Sequence, residues 1–141
     1  MIIAMVPIDR ITEAWPYVSP YLEKAVKRGK GRYHIVDLLE ACLQGKQSLW
    51  IAVEGERNVI GAGTLSIQEY ATGMRTSKIE FIGGKQRDLW FKPMWDMMIS
   101  YSKELGCSAL ECIARPGLGP YFKSYGGEMT AGFYEIDLTK G

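Results

Sequence analysis

A helix wedged between two strands is the feature that most constrains this chain. Residues 88–105 place Met94, Trp95, Met98, Tyr101 and Leu105 at helical spacing, and Gly106 follows. Before that helix, Lys78 to Ile82 reads as a strand, and after it Ala109 to Ala114 reads as another. Strands joined through a helix run parallel, and the crossover is right-handed. A βαβ unit over 78–114 therefore excludes an all-helical bundle and a purely antiparallel sandwich. Pro93 removes a backbone donor, so the helix either starts near Lys92 or bends there. The methionine and tryptophan stripe at this spacing reads as core.

The other segments build outward from this unit. Ile2 to Val6 reads as an edge strand ended by Pro7, and Asp9 is placed to cap a helix beginning near Arg10. Pro16 and Pro20 interrupt that helix, with Ser19-Pro20 as a fresh start running to Gly29. Ile35, Leu38, Leu39 and Cys42 fall on one helical face closed by Gly45. Leu49 to Val53 and Val59 to Ile67 flank the turn residues Gly55-Glu56-Arg57-Asn58, which predicts a hairpin. Tyr121 to Tyr125 reads as a short helix ending at Gly126-Gly127, and Ala131 to Leu138 as a last strand. The predicted order is β-α-α-β-β-β-α-β-α-β. It describes one mixed α/β domain over 1–141, with a mostly antiparallel central sheet and helices on both faces.

Composition narrows the function. Seventeen cations against 16 anions give a net charge of +1, without the basic excess of a non-specific nucleic-acid binder. The basic connector Lys27 to Arg32, KRGKGR, suits a phosphate or nucleic acid, or is a solvated loop. No apolar run reaches the roughly 18 residues of a membrane span. The apolar start MIIAMVPID has no basic region before it and reads as a strand. The three cysteines, Cys42, Cys107 and Cys112, lack CxxC spacing, which points away from disulfides and zinc toward a reducing, cytoplasmic setting.

Much chemistry is absent from these letters. On the predicted helix, the one histidine, His34, lies roughly 12 Å along the axis from Cys42, too far for a nucleophile pair. HExxH, EF-hand and Walker patterns do not occur. What remains is FIGGKQRDLW, Phe81 to Trp90, a strand-to-helix connection with two glycines and two cations. A helix start offers unpaired N–H groups and partial positive charge, which phosphates favour. The same letters also suit a tight turn, since glycine tolerates positive φ.

The element order resembles the GNAT superfamily, the N-acyltransferases that use acetyl-CoA, over nearly the whole chain. LWIAVEGERNVIGAGTLSI is similar to the family's second and third strands, with Val59-Ile60-Gly61-Ala62-Gly63 at its V-x-G-x position. KIEFIGGK corresponds to the fourth strand and pyrophosphate loop, ALECIAR to the fifth strand, and PYFKSYGGEM to the late helix and its glycine. Trp90 and Trp95, with GCSALECIARPG at 106–117, resemble the GNAT-like proteins of tailed phages and prophages. Two departures are visible. The glycines are adjacent instead of following Q/R-x-x-G-x-G/A, and Phe122 stands where the family often has tyrosine, four before Gly126.

The resemblance implies acyl transfer from acetyl-CoA to an unknown amine, small molecule or protein, with no metal. Gly83, Gly84, Lys85, Gln86, Arg87 and Asp88 would hold CoA. Glu80 falls near the family's general base, or is a salt-bridged carboxylate. Glu111, inside an apolar run, either binds a cationic amine or pairs with Arg115. Tyr121 borders a ligand or simply packs. The rival expectations are a virion-associated or protein-interaction module that keeps the fold without catalysis, binding a phage or host protein, and a CoA-binding regulatory module. A homodimer is also implied.

Overall fold

The computed structural model describes residues 1–140. Five strands form one sheet in sequence order: β1 (Ile2–Val6), β2 (Gln47–Glu54), β3 (Asn58–Glu69), β4 (Arg75–Gly84) and β5 (Ala109–Cys112). The first four are antiparallel neighbours, and β5 lies parallel to β4 from Thr76 opposite Ala109 to Ile79 opposite Cys112. This is the mixed, mostly antiparallel sheet and βαβ crossover that the sequence predicts. α1 (Ile11–Lys27) and α2 (Ile35–Leu43) cover one face; α3 (Arg87–Glu104) and the short α4 (Gly119–Ser124) cover the other.

Each face has its own core. Val18, Leu22 and Val26 of α1, with Leu38 and Cys42 of α2, bury Leu49 and Ala62. On the opposite face Trp90, Phe91, Met94 and Met98 of α3 pack on Trp50, Ile60, Leu65 and Ile79. The methionine and tryptophan stripe is indeed core.

Four expectations need correction. First, α1 runs unbroken through Pro16 and Pro20. Both prolines lie on the solvent side, where water satisfies the carbonyls they leave unpaired, while Ile11, Val18, Leu22 and Val26 pin the other side. Likewise α3 starts at Arg87 and continues through Pro93, which sits in its second turn. Second, His34 caps α2 rather than lying within it, its N–H donating to Asp37 Oδ2 at 2.9 Å.

Third, Gly83 and Gly84 belong to β4, paired with Ala62 and Gly61, so the true connection is only Lys85-Gln86. Fourth, residues 131–138 form no strand. Glu135 is held by Lys30 at 2.6 Å and Arg32 at 2.8 Å, and Arg32 lies over the Phe133 ring, so the segment rests beside the α1–α2 connection instead of in the ladder.

Candidate functional site

The end of β4 is where the fold concentrates polar chemistry. A register shift between Thr64 and Leu65 leaves Glu80 as the extra residue of a β-bulge, since Thr64 faces Phe81 and Leu65 faces Ile79. The bulge reverses the side-chain alternation beyond it. Ile79 and Ile82 both enter the α3-side core, whereas Phe81 packs toward α1 and α2. Ile82 therefore does not share a face with Lys78, as uninterrupted alternation along the strand would require. Pairing with β5 stops at Ile79, so β4 and β5 part where Glu80 stands.

Glu80 accepts a hydrogen bond from Ser66 Oγ at 2.9 Å and lies 3.8 Å from the Lys78 ammonium, its side chain 17% exposed. Gln68 donates to the same Ser66 hydroxyl at 3.1 Å. Cys112 sits beside this group. Burial pushes its thiol up to about 11, with Lys78 pulling it down and Glu80 adding to the rise. Glu111 does not pair with Arg115. It accepts from the Tyr70 hydroxyl at 2.9 and 3.1 Å and from Thr76, further back along the sheet.

Beyond the bulge, the strand-to-helix connection is pinned from both sides. The Lys85 N–H donates to Ile60 O at 2.8 Å, and the Trp90 indole donates to Lys85 O at 2.8 Å. Gln86 adopts a left-handed conformation (φ 54°) that turns the chain into α3. Arg87 and Asp88 then occupy the first turn; the Leu89 N–H donates to Gln86 O at 3.0 Å, while the Arg87 and Asp88 N–H groups have no acceptor within the helix.

A cleft of about 200 Å³ opens here. Gly83, Gly84, Lys85 and Arg87 line it, joined by Tyr21 and Lys24 of α1, by Arg28 at its C-terminal cap and by Arg115 after β5. Five cations from three parts of the chain thus meet with no carboxylate in the lining. None of the five forms an ion pair among the described residues. The Arg28 guanidinium is held below its ordinary value by burial first, then by repulsion from Arg115 and Arg87. Such a cluster fits a polyanion, whose charge would replace mutual repulsion with charge-assisted hydrogen bonds.

Gln86 and Asp88 adjoin the cleft without lining it. Tyr121 stacks on Phe91 with ring centroids 5.3 Å apart and points its hydroxyl at Asp88 Oδ1, 3.4 Å away. It therefore lies on the α3 side, away from Glu80. Phe122 packs against Phe91 and Trp95 within the apolar cluster.

Of the basic connector KRGKGR, Arg28 reaches this cleft, while Lys30 and Arg32 pair with Glu135; Lys24 is added by a spacing that the sequence carries, since Tyr21, Lys24 and Arg28 sit at i, i+3 and i+7, one helical face. The Tyr21 hydroxyl donates to Val59 O at 2.9 Å and fixes that face against β3 and β4. A larger cleft of about 490 Å³ lies at the other end of α1, lined mainly by apolar residues of α1, β1 and β2. Its charged lining is mixed in sign, Arg10 paired with Glu13 and Arg57 next to Glu56, so no cluster of like charges forms there.

Thiol chemistry gives a direct check on the packing. Burial also raises Cys42 to about 11, against an ordinary 9.0. A disulfide reagent at pH 8 should modify the buried Cys42 only after unfolding and the partly buried Cys112 about a hundredfold more slowly than it would an ordinary thiol, because the thiolate is the nucleophile. Rapid modification of Cys42 in the folded protein would contradict the structure. The folded thiols keep protons that unfolded thiols release, so stability should fall as pH rises from about 9 toward 11.

No protein-family model and no curated protein matches this sequence. Solved structures do resemble the fold. A variant of the BH1408 protein of Bacillus halodurans superposes with a TM-score of 0.73 at 16% identity, covering 98% of this chain and 99% of that one. The ribosomal-protein-alanine N-acetyltransferase of Brucella melitensis gives 0.69 at 18% identity over 98% and 100% of the chains. A predicted acetyltransferase of Clostridium acetobutylicum, solved with acetyl-CoA, gives 0.70 at 15% identity over 99% and 97%. At these identities the likeness defines the fold, one that acetyltransferases use. Among the described residues no helix is long and apolar enough to cross a membrane.

Proposed function

We propose that this protein transfers an acyl group, acetyl in the simplest case, from acyl-CoA to a primary amine of a small molecule or protein. The observation that carries this reading is the cleft of five unpaired cations at the start of α3. Lys24, Arg28, Lys85, Arg87 and Arg115 suit the phosphates of CoA, and the parting of β4 from β5 gives the acyl arm a path between the strands. The acetyltransferase fold of the structural neighbours supports the same assignment.

Glu80 stands at that parting. It takes the proton of the attacking amine, directly or through one water. The amine nitrogen bonds to the thioester carbonyl carbon, and N–H groups of β4 freed from β5 stabilise the oxyanion. The C–S bond then breaks and CoA leaves as thiolate. Phe122 offers no hydroxyl, so the thiolate takes its proton from solvent. Glu111 and Tyr70 sit further along the same sheet edge, where an acceptor with a positive charge would meet a carboxylate. Phe122 also supports a second reading, a CoA-binding regulatory module without turnover.

Melting the protein with acetyl-CoA and with CoA, while following CoA release over a panel of amines, tests both. Binding to the folded state raises the melting temperature. Turnover should accompany it, and Glu80→Gln should cut kcat by about a hundredfold or more while preserving the ligand-induced shift. A shift without turnover selects the second reading. No shift at millimolar ligand refutes both.

A further inference from the structure

The geometry points to a modification that the protein makes on itself: Lys78 accepts the acyl group, with Glu80 as its base. This rests on the acyltransferase reading and names an amine already inside that site. Lys78 and Glu80 alternate onto one face of β4, and the Lys78 ammonium lies 3.8 Å from Glu80 Oε2. Ser66 donates to the other oxygen, Oε1, at 2.9 Å. The oxygen left to receive a proton is therefore the one that Lys78 faces.

The surroundings single out this lysine. Its register partner on β5 is Glu111, but that carboxylate is taken by Tyr70 and Thr76. Among the described residues Lys78 and Glu80 form ion pairs only with each other. The Lys78 side chain is 29% exposed, whereas those of the paired Lys27, Lys30 and Lys92 are 75%, 73% and 50% exposed. Pairing between β4 and β5 ends one residue later, at Ile79, where the acyl arm would enter. A primary amine, a carboxylate with a free oxygen and the path of the thioester thus meet at one point. The gap of 3.8 Å is closed by one water or by a small tightening on binding.

The step balances without a further reactant. Glu80 takes one proton from the Lys78 ammonium, and the freed nitrogen bonds to the thioester carbonyl carbon. The C–S bond breaks, and CoA leaves as thiolate. The nitrogen's second proton reaches that thiolate through solvent, and Glu80 returns its own proton to solvent. Acetyllysine carries no charge, so the carboxylate loses its ammonium partner, and the flexible stem lets the amide turn aside. Self-acetylation thereby opens Glu80 to added amines.

Intact-mass spectrometry after incubation with acetyl-CoA and no amine should show one acetyl group per chain, mapped to Lys78. The rate should not change on dilution of the protein, because the step is intramolecular, and Glu80→Gln should slow it about a hundredfold. Pre-acetylated protein, and Lys78→Gln, which carries a neutral amide in advance, should turn over an added amine roughly two- to fivefold faster at first than untreated wild type. A retained acetyl-CoA-induced rise in melting temperature would verify that both variants fold and bind. Turnover of added amines with Lys78 unmodified overturns the proposal and leaves the acyltransferase reading standing. Lys78 modified no faster than the exposed Lys46 and Lys103, or equally fast in Glu80→Gln, overturns it as well, since that is uncatalysed acetylation. Absence of both the melting shift and turnover removes the reading beneath it.

Discussion

Reversing two charges, Arg28→Glu with Arg115→Glu, should abolish the acetyl-CoA-induced rise in melting temperature without lowering that of the free protein. The two arginines come from different elements and converge on one cleft. A hydrogen bond to a charged group contributes about 1.5–3 kcal/mol, so removing one costs roughly ten- to a hundredfold in affinity. Reversal adds repulsion, and two reversals together should weaken binding by about a thousandfold or more. The free protein behaves differently because these cations repel one another: Arg28 is held below its ordinary value by burial first and then by Arg115 and Arg87. Replacing them relieves that repulsion. Wild-type binding should also weaken with added salt, since the cleft is open to solvent. A variant that keeps the full shift would place CoA elsewhere.

The parts legible in the sequence are those set by local periodicity. The α3 stripe, the β2–β3 hairpin and the crossover to β5 all follow from spacings of 3.6 or 2 and from glycine turns. Misread elements depend on distant partners. Pro16 and Pro20 suggest a break, yet the buried row from Ile11 to Val26 outweighs the local cost. Residues 131–138 have strand letters, but letters cannot state which edge is available.

The bulge at Glu80 reverses two side chains without any mark in the local pattern, because it arises from the β3–β4 register. The candidate site divides in the same way. Gly83, Gly84, Lys85 and Arg87 were visible as one stretch, whereas Lys24, Arg28 and Arg115 join them only when α1 and the end of β5 fold over.

Gly84→Asp, the intuitive way to block a phosphate loop, should instead cripple folding, and Gly61→Ala should do the same. A Cβ on Gly84 would sit 2.4 Å from Ile60 O and 2.6 Å from the Gly61 Cα. One on Gly61 would sit 2.4 Å from Trp90 Cε2. Neither neighbour can yield. Ile60 O accepts the Lys85 N–H, and Trp90 is fully buried with its indole donating to Lys85 O. These glycines are therefore demanded by the approach of two strands to a tryptophan, whatever the cleft binds. Overpacking a core commonly costs about 1–3 kcal/mol, and a clash with immobile backbone lies at or beyond the upper end. Against a typical total of about 5–15 kcal/mol, that is a large share. The expected fall in melting temperature is on the order of 10 °C for each variant, with binding lost only as a consequence. Thermal melting without ligand checks this. A Gly84→Asp protein that melts like wild type would refute the packing of Trp90 under β3 and β4, and would return those glycines to a purely ligand-binding role.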